Sequence, residues 1–163
     1  MRIAIVTDAW APQVNGVVRS LEAVIGELRA IGHQVLVVAP DTFRSLPCPT
    51  YPEIRLALAG VRAVGDRIAA FAAEAVHIAT EGPLGVAARR WCVARGRPFT
   101  TAYHTQFPDY VAARTGVNPE WVWRYIRWFH APAQGILAST PTIEATLAAH
   151  GLQHARRWGR GVA

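Results

Sequence analysis

Cysteine is nearly missing from this chain. Cys48 and Cys92 are its two cysteines in 163 residues, too few and too isolated for a disulfide framework or a zinc site. No apolar run approaches the ~20 residues of a membrane-spanning helix. The run after Arg2 is too short for a signal-peptide core and is interrupted at Asp8, so the expected location is the cytoplasm. Neither G-x-G-x-x-G nor G-x-x-x-x-G-K-[ST] occurs, which leaves no standard dinucleotide or P-loop signature. Without D-x-D or a dense carboxylate cluster, no bound metal is expected. Lysine is absent too, so the formal charge of +6 rests on arginine and favours anionic partners: sugar nucleotides, acidic lipid headgroups or nucleic acid. Zinc-finger spacing and RNP-type aromatic strands are lacking, and nucleic acid is therefore not expected.

The residues present describe a globular protein. Its length suits one domain with a substantial core, and 52% hydrophobic against 17% charged residues excludes disorder. Strands and helices alternate. Ile3 to Thr7 is an apolar run of the kind a parallel sheet buries on both faces. Val17, Leu21, Val24, Ile25 and Leu28 come next at helical spacing, with Gly32 as the stop. Strands are expected at 34–39, 51–58, 75–79, 98–103 and 135–139. Helices are expected at 61–73, 83–95, about 108–115, 119–131 and from about 141 to Gly151, the last capped by Ser139 or Thr140. Short connections between alternating elements predict an α/β fold with a doubly wound, mostly parallel, Rossmann-like sheet, as a single domain over 1–163.

Three segments carry chemistry. The first runs from strand to helix through Asp8–Gly16, where open α/β sheets bind ligands and a helix start offers unpaired N–H groups to an anion. Gly16 lets backbone approach a bound group closely. Asp8 and Asn15 also suit an ordinary turn that bonds local backbone. A receiver-type phosphoacceptor reading fails, since Asp8 has no acidic neighbour. The second segment is Thr80-Glu81-Gly82-Pro83-Leu84-Gly85. There Glu81 suits two roles: accepting hydrogen bonds from sugar or polyol hydroxyls, and a first-turn glutamate stabilised by the helix dipole. The third is Tyr103-His104-Thr105-Gln106-Phe107-Pro108-Asp109-Tyr110, which places an imidazole beyond a strand end. A lone histidine there also suits a structural role.

From Pro119 to Ala131, the residues Trp121, Val122, Tyr125, Ile126, Trp128 and Phe129 are expected on one broad face, with Arg124, Arg127 and His130 elsewhere. An aromatic face with basic flanks suits an interfacial membrane helix. It suits a core helix under a sheet better.

The segment Thr7-Asp8-Ala9-Trp10-Ala11-Pro12-Gln13-Val14-Asn15-Gly16-Val17-Val18-Arg19 resembles the start of the family 4 retaining glycosyltransferases. The likeness is strongest to the branch of bacterial α-mannosyl- and sulfoquinovosyl-transferases that act on lipid acceptors. It implies the two-domain GT-B architecture, with an N-terminal domain that mainly holds the acceptor and a C-terminal domain that mainly holds a GDP- or UDP-sugar. The family's Arg-Gly-Val run that closes the N-terminal domain is similar to Arg160-Gly161-Val162, so the resemblance covers the chain and leaves the donor domain outside it. Glu74 and Glu81 are one residue too close for the family's E-x7-E donor motif. A Tyr/Phe-His-Thr segment followed by an aromatic and proline recurs in the family with its histidine facing the reacting sugar. Carried over, His104 is the catalytic residue. Asp8, Asn15, Gly16, Val17, Glu81, Tyr103, Thr105 and Tyr110 become the substrate-binding set, with no cofactor and no metal. The partners implied are a nucleotide sugar, a lipid or glycan acceptor, a donor domain, and peripheral contact with the inner face of the cell membrane. The isolated chain is expected to be inactive. The competing reading is a stand-alone, non-catalytic α/β binding or regulatory module.

Overall fold

The computed structural model describes residues 1–10, 16–47, 55–103 and 115–157. The chain forms two compact units, Met1–Phe99 and Thr100–Ala163. In the first, strand β1 (Arg2–Val6) leads to helix α1 (Gly16–Ala30) and strand β2 (Gln34–Val38). A 3-10 turn at Pro40–Thr42 precedes two short strands, β3 (Ser45–Pro47) and β4 (Arg55–Ala57). Helix α2 (Val61–Ala70), strand β5 (Ala75–Ile78) and helix α3 (Pro83–Ala94) complete the unit. Strand β1 lies between β2 and β5 and is parallel to both, with Ile5 opposite Val37 and His77. That central place is why its residues are apolar without alternation. Leu21 and Ile25 of α1 pack with Ile5, Val35 and Ala79, and Val17 and Leu28 close the edges of this core. Helix α2 stops at Ala70, short of the expected Ala73, because Ala72 adopts φ 55° and takes the backbone out of the helical region. Strands β3 and β4 form an antiparallel ribbon. Of the strand expected over 51–58, residues 55–58 lie within the described residues, and 55–57 of them form β4.

The second unit runs through β6 (Thr100–Tyr103), α4 (Pro119–His130), β7 (Gly135–Ala138), α5 (Pro141–Ala149) and β8 (Ala155–Arg157). Strand β7 is flanked by β6 and β8, all parallel. Tyr103, Val122, Trp123, Ile126, Ile136, Ala138, Leu147 and Leu152 form its core. With parallel strands joined by helices in both units, the chain is α/β and Rossmann-like, as the alternation predicts. The helix expected near 108–115 falls outside the described residues apart from Thr115.

Helix α4 departs from expectation in its facing. Its buried side is Val122, Trp123, Ile126, Phe129 and His130, whereas Trp121 is 68% and Trp128 40% exposed. Two contacts set this rotation. Trp123 stacks on His150 with ring centroids 3.7 Å apart, and the buried His130 ring bonds Thr101 Oγ1 at 2.7 Å, which lets a polar ring sit in the core.

Helix α5 is capped by Thr140, whose hydroxyl accepts from the Ile143 N–H at 3.2 Å. Gly151, at φ 86°, turns the chain away after it. Thr140→Ala should therefore cost about 0.5–2 kcal/mol, read as a lower urea midpoint at unchanged m-value.

Candidate functional site

Because β1 and β5 are parallel neighbours, their C-terminal ends emerge side by side, joined by the Ala79 N–H donating to the Val6 carbonyl at 2.8 Å. The loops leaving the two strands meet there. The Thr7 hydroxyl folds the first turn, accepting from the Ala9 N–H at 3.0 Å and donating to the Ala9 carbonyl at 2.9 Å. This turn directs Asp8 inward, where it is buried. The Asp8 N–H donates to Thr80 Oγ1 at 2.7 Å, and that hydroxyl donates to Asp8 Oδ2 at 2.7 Å. Asp8 Oδ1 accepts from the Leu84 N–H at 2.8 Å, and Oδ2 from the Gly85 N–H at 3.3 Å.

Helix α3 begins after Gly82, which has no side chain to cap it. Asp8, 76 residues before Leu84, performs that task, placing a carboxylate on the positive end of the helix. Burial pushes the Asp8 carboxyl above its ordinary range, while bonds from Thr80, Leu84, Gly85 and Gly82 pull it part of the way back. The glycines are required by space. A Cβ on Gly82 would overlap the Asp8 carboxylate, and one on Gly85 the Thr80 carbonyl oxygen.

Of the expected site residues, Asp8 and Glu81 are brought together at this strand-end junction. Glu81 is half-buried and precedes the capping residue Gly82, so it lies outside the first turn of α3. The dipole reading of Glu81 therefore passes to Asp8. Gly16 is the exposed first residue of α1, and Val17, half-buried, packs against the Ile5–Leu21 core. Tyr103 ends β6 inside the core of the second unit, its ring 6.0 Å from that of Trp123 and 6.2 Å from that of His130. Asn15, His104, Thr105 and Tyr110 lie outside the described residues. Sequence reasoning missed Thr80 and Gly85. Their signal is the T-E-G-P-L-G wording itself, a hydroxyl and two glycines set around a helix start. No group of three metal-ligating side chains occurs among the described residues. Cys92 is a buried free thiol that burial pushes up to about 11, which leaves it unreactive at neutral pH.

Residues 14–163 match the profile of Glycosyltransferase Family 4. The chain belongs to that family. Among its relatives is a GDP-mannose-dependent alpha-mannosyltransferase of Mycolicibacterium smegmatis, 33% identical over 181 aligned positions that cover 99% of this chain and 48% of the relative. The sulfoquinovosyl transferase SQD2 of Arabidopsis thaliana is 30% identical over 91% of this chain and 32% of its own length. An alpha-monoglucosyldiacylglycerol synthase of Streptococcus pneumoniae is 27% identical over 90% of this chain and 37% of its own. This family 4 chain thus spans about half the length of the mannosyltransferase, and less of the other two. The resemblance drawn from Thr7–Arg19 and the Tyr103-His104-Thr105 wording named the family that the profile match shows.

Proposed function

We propose that this family 4 chain is the acceptor-side part of a retaining glycosyltransferase. The reaction moves a hexose, mannose first among candidates, from a nucleotide-diphosphate sugar to a hydroxyl of a lipid acceptor. The donor-binding domain belongs to the remainder of the protein. One observation carries the reading: 33% identity across 99% of this chain to a GDP-mannose-dependent alpha-mannosyltransferase of which it spans 48%. GDP-mannose is accordingly the donor to test first, and UDP-sugars second. The diacylglycerol product named for the pneumococcal relative supports a lipid acceptor. The membrane contact proposed is peripheral, from the cytoplasmic side; no described helix is long and apolar enough to cross a membrane.

Each part has a role in that chemistry. Sugar transfer from a diphosphate develops positive charge on the sugar and negative charge on the leaving phosphate. Backbone N–H groups at the start of α1, with Gly16 leaving room for close approach, stabilise that phosphate. His104, beyond the end of β6, orients the transferred sugar, and Thr105 assists it. Asn15, Glu81 and Tyr110 hold acceptor hydroxyls, aligning the nucleophile for attack. Asp8 holds the 80–85 turn and so fixes the backbone that carries Glu81.

The test compares two proteins given radiolabelled GDP-mannose and a diacylglycerol-type acceptor. The complete protein should transfer the label, and the 163-residue chain alone should not. Transfer by the chain alone at a comparable rate would refute the division of labour. No transfer by the complete protein, with any nucleotide sugar, would favour a non-catalytic module.

A further inference from the structure

Helix α4 has a second face, opposite the one it buries. Trp121, Arg124 and Trp128 stand at i, i+3 and i+7, within an arc of about 60° at 100° per residue. Trp121 is 68% and Trp128 40% exposed, and Arg124 is exposed as well. The half-buried Tyr125 ring lies 5.9 Å from that of Trp128 and widens the aromatic shelf. Two indoles held outward are costly in water, since each has a large apolar body with one N–H donor. That combination suits the boundary between hydrocarbon and headgroups.

Charge selects the partner. Glu120 is the one acid in α4, and it is drawn to Arg127 at 3.7 Å. Arg124 has no ion pair or hydrogen bond with another described residue. Among the described residues the face is therefore aromatic with an uncompensated cation beside the indoles, on a chain of net charge +6. A second copy docked on it about a two-fold axis would bring Arg124 toward its own counterpart, like charge against like. A surface of lipid phosphates supplies both things the face needs: anions for the guanidinium and an interfacial layer for the indoles.

We infer that the Trp121–Arg124–Trp128 face of α4 is a peripheral contact for an anionic lipid surface, with the indoles at headgroup level and Arg124 on lipid phosphates. The inference deepens the lipid-acceptor reading and rests on it for the presence of a membrane. Vesicle binding needs no sugar transfer, however, so the two fail separately. Binding without transfer would leave this surface standing and sink the transferase; transfer to a soluble acceptor without vesicle binding would do the reverse.

Cosedimentation with vesicles of phosphatidylglycerol and phosphatidylcholine, against phosphatidylcholine alone, reads the contact in both the 163-residue chain and the complete protein. Both should bind the anionic vesicles more tightly. The Trp121→Ala, Trp128→Ala double variant should weaken that binding on the order of ten-fold or more. Arg124→Gln should weaken it about five-fold, and only on anionic vesicles. Because these side chains point outward, circular dichroism and Tm should stay at wild-type values; if the double variant misfolds, Arg124→Gln alone decides. Three results would overturn the inference: anionic binding unchanged in the variants, vesicle binding by the chain but not by the complete protein, or a self-associated species that the double variant dissolves. The second would assign the face to the protein's remaining half, the third to another copy.

Discussion

Replacing Asp8 with alanine should lower stability by about 2–4 kcal/mol, because it strips the acceptor from two buried N–H donors at once. Leu84 and Gly85 both donate to this carboxylate, as does the Thr80 hydroxyl. A buried donor left unsatisfied costs about 1–3 kcal/mol, and relief of the carboxylate's own desolvation offsets part of the sum. For a chain of this size the loss amounts to a fall in Tm of about 5–15 °C. Asp8→Asn keeps one carbonyl acceptor and should fall between wild type and alanine. A Tm within error of wild type for Asp8→Ala would remove this carboxylate as the clasp between β1 and α3.

The same residue predicts a pH dependence. Burial raises the folded pKa of Asp8 above the ordinary 3.8, so the folded state binds the proton more tightly than the unfolded chain does. Its contribution to stability is thus fullest below about 3.8, falls as pH rises toward the raised value, and is level beyond it. Urea midpoints of wild type and Asp8→Asn across this range should show the wild-type advantage greatest at the acid end. A difference that grows with pH would mean that the bonds from Thr80, Leu84 and Gly85 outweigh burial.

In the complete protein, His104→Ala should reduce kcat/KM by about 10- to 1000-fold, equivalent to about 1.4–4 kcal/mol of transition-state stabilisation. His104 directly follows Tyr103, the last residue of β6, and strand C-termini are where α/β sheets place their ligands. Tyr103 itself is held in the core with Trp123 and His130. Activity and Tm measured on one variant separate the two roles a histidine can have here. A catalytic His104 gives a folded, slow enzyme; a structural one gives a lowered Tm with normal turnover in the folded fraction.

The strands and helices were legible where one physical cause determined them. The unbroken apolar run at Ile3–Val6 means burial on both faces, and Ala4, Ile5 and Val6, which point alternately to the two faces of β1, are all buried. Val17, Leu21 and Ile25 mark the packed side of α1 because only one face of that helix is apolar. Helix α4 carries aromatic residues nearly all round, so hydropathy alone does not choose between Trp121 and Trp123. Stacking on His150 and the Thr101 bond to His130 make the choice, and both come from distant elements. Strands β3 and β8 were missed for a related reason. Strand β8 pairs with β7 through Ala155–Arg157, where Arg156 and Arg157 are exposed and show no apolar pattern.

The candidate site was legible as a place and not as a set of bonds. Strand-loop-helix wording at Asp8–Gly16 and Thr80–Gly85 located both loops, since each joins an apolar run to a helix start. That one loop's carboxylate caps the other loop's helix depends on β1 and β5 lying side by side. Periodicity within either segment holds no trace of a bond across 72 residues or more. Gly82 and Gly85 were the available clue, because two glycines around a helix start imply that something comes close, and here it is Asp8 and the Thr80 carbonyl.

Retaining sugar transfer, with this chain supplying the acceptor side, leaves its mark in the configuration of the product. The complete protein is given GDP-α-mannose and a diacylglycerol-type acceptor, and the new glycosidic bond is read by NMR from its anomeric one-bond C–H coupling. A retaining transfer gives an α-mannoside. A β-mannoside, or free mannose released without any glycoside, would contradict it.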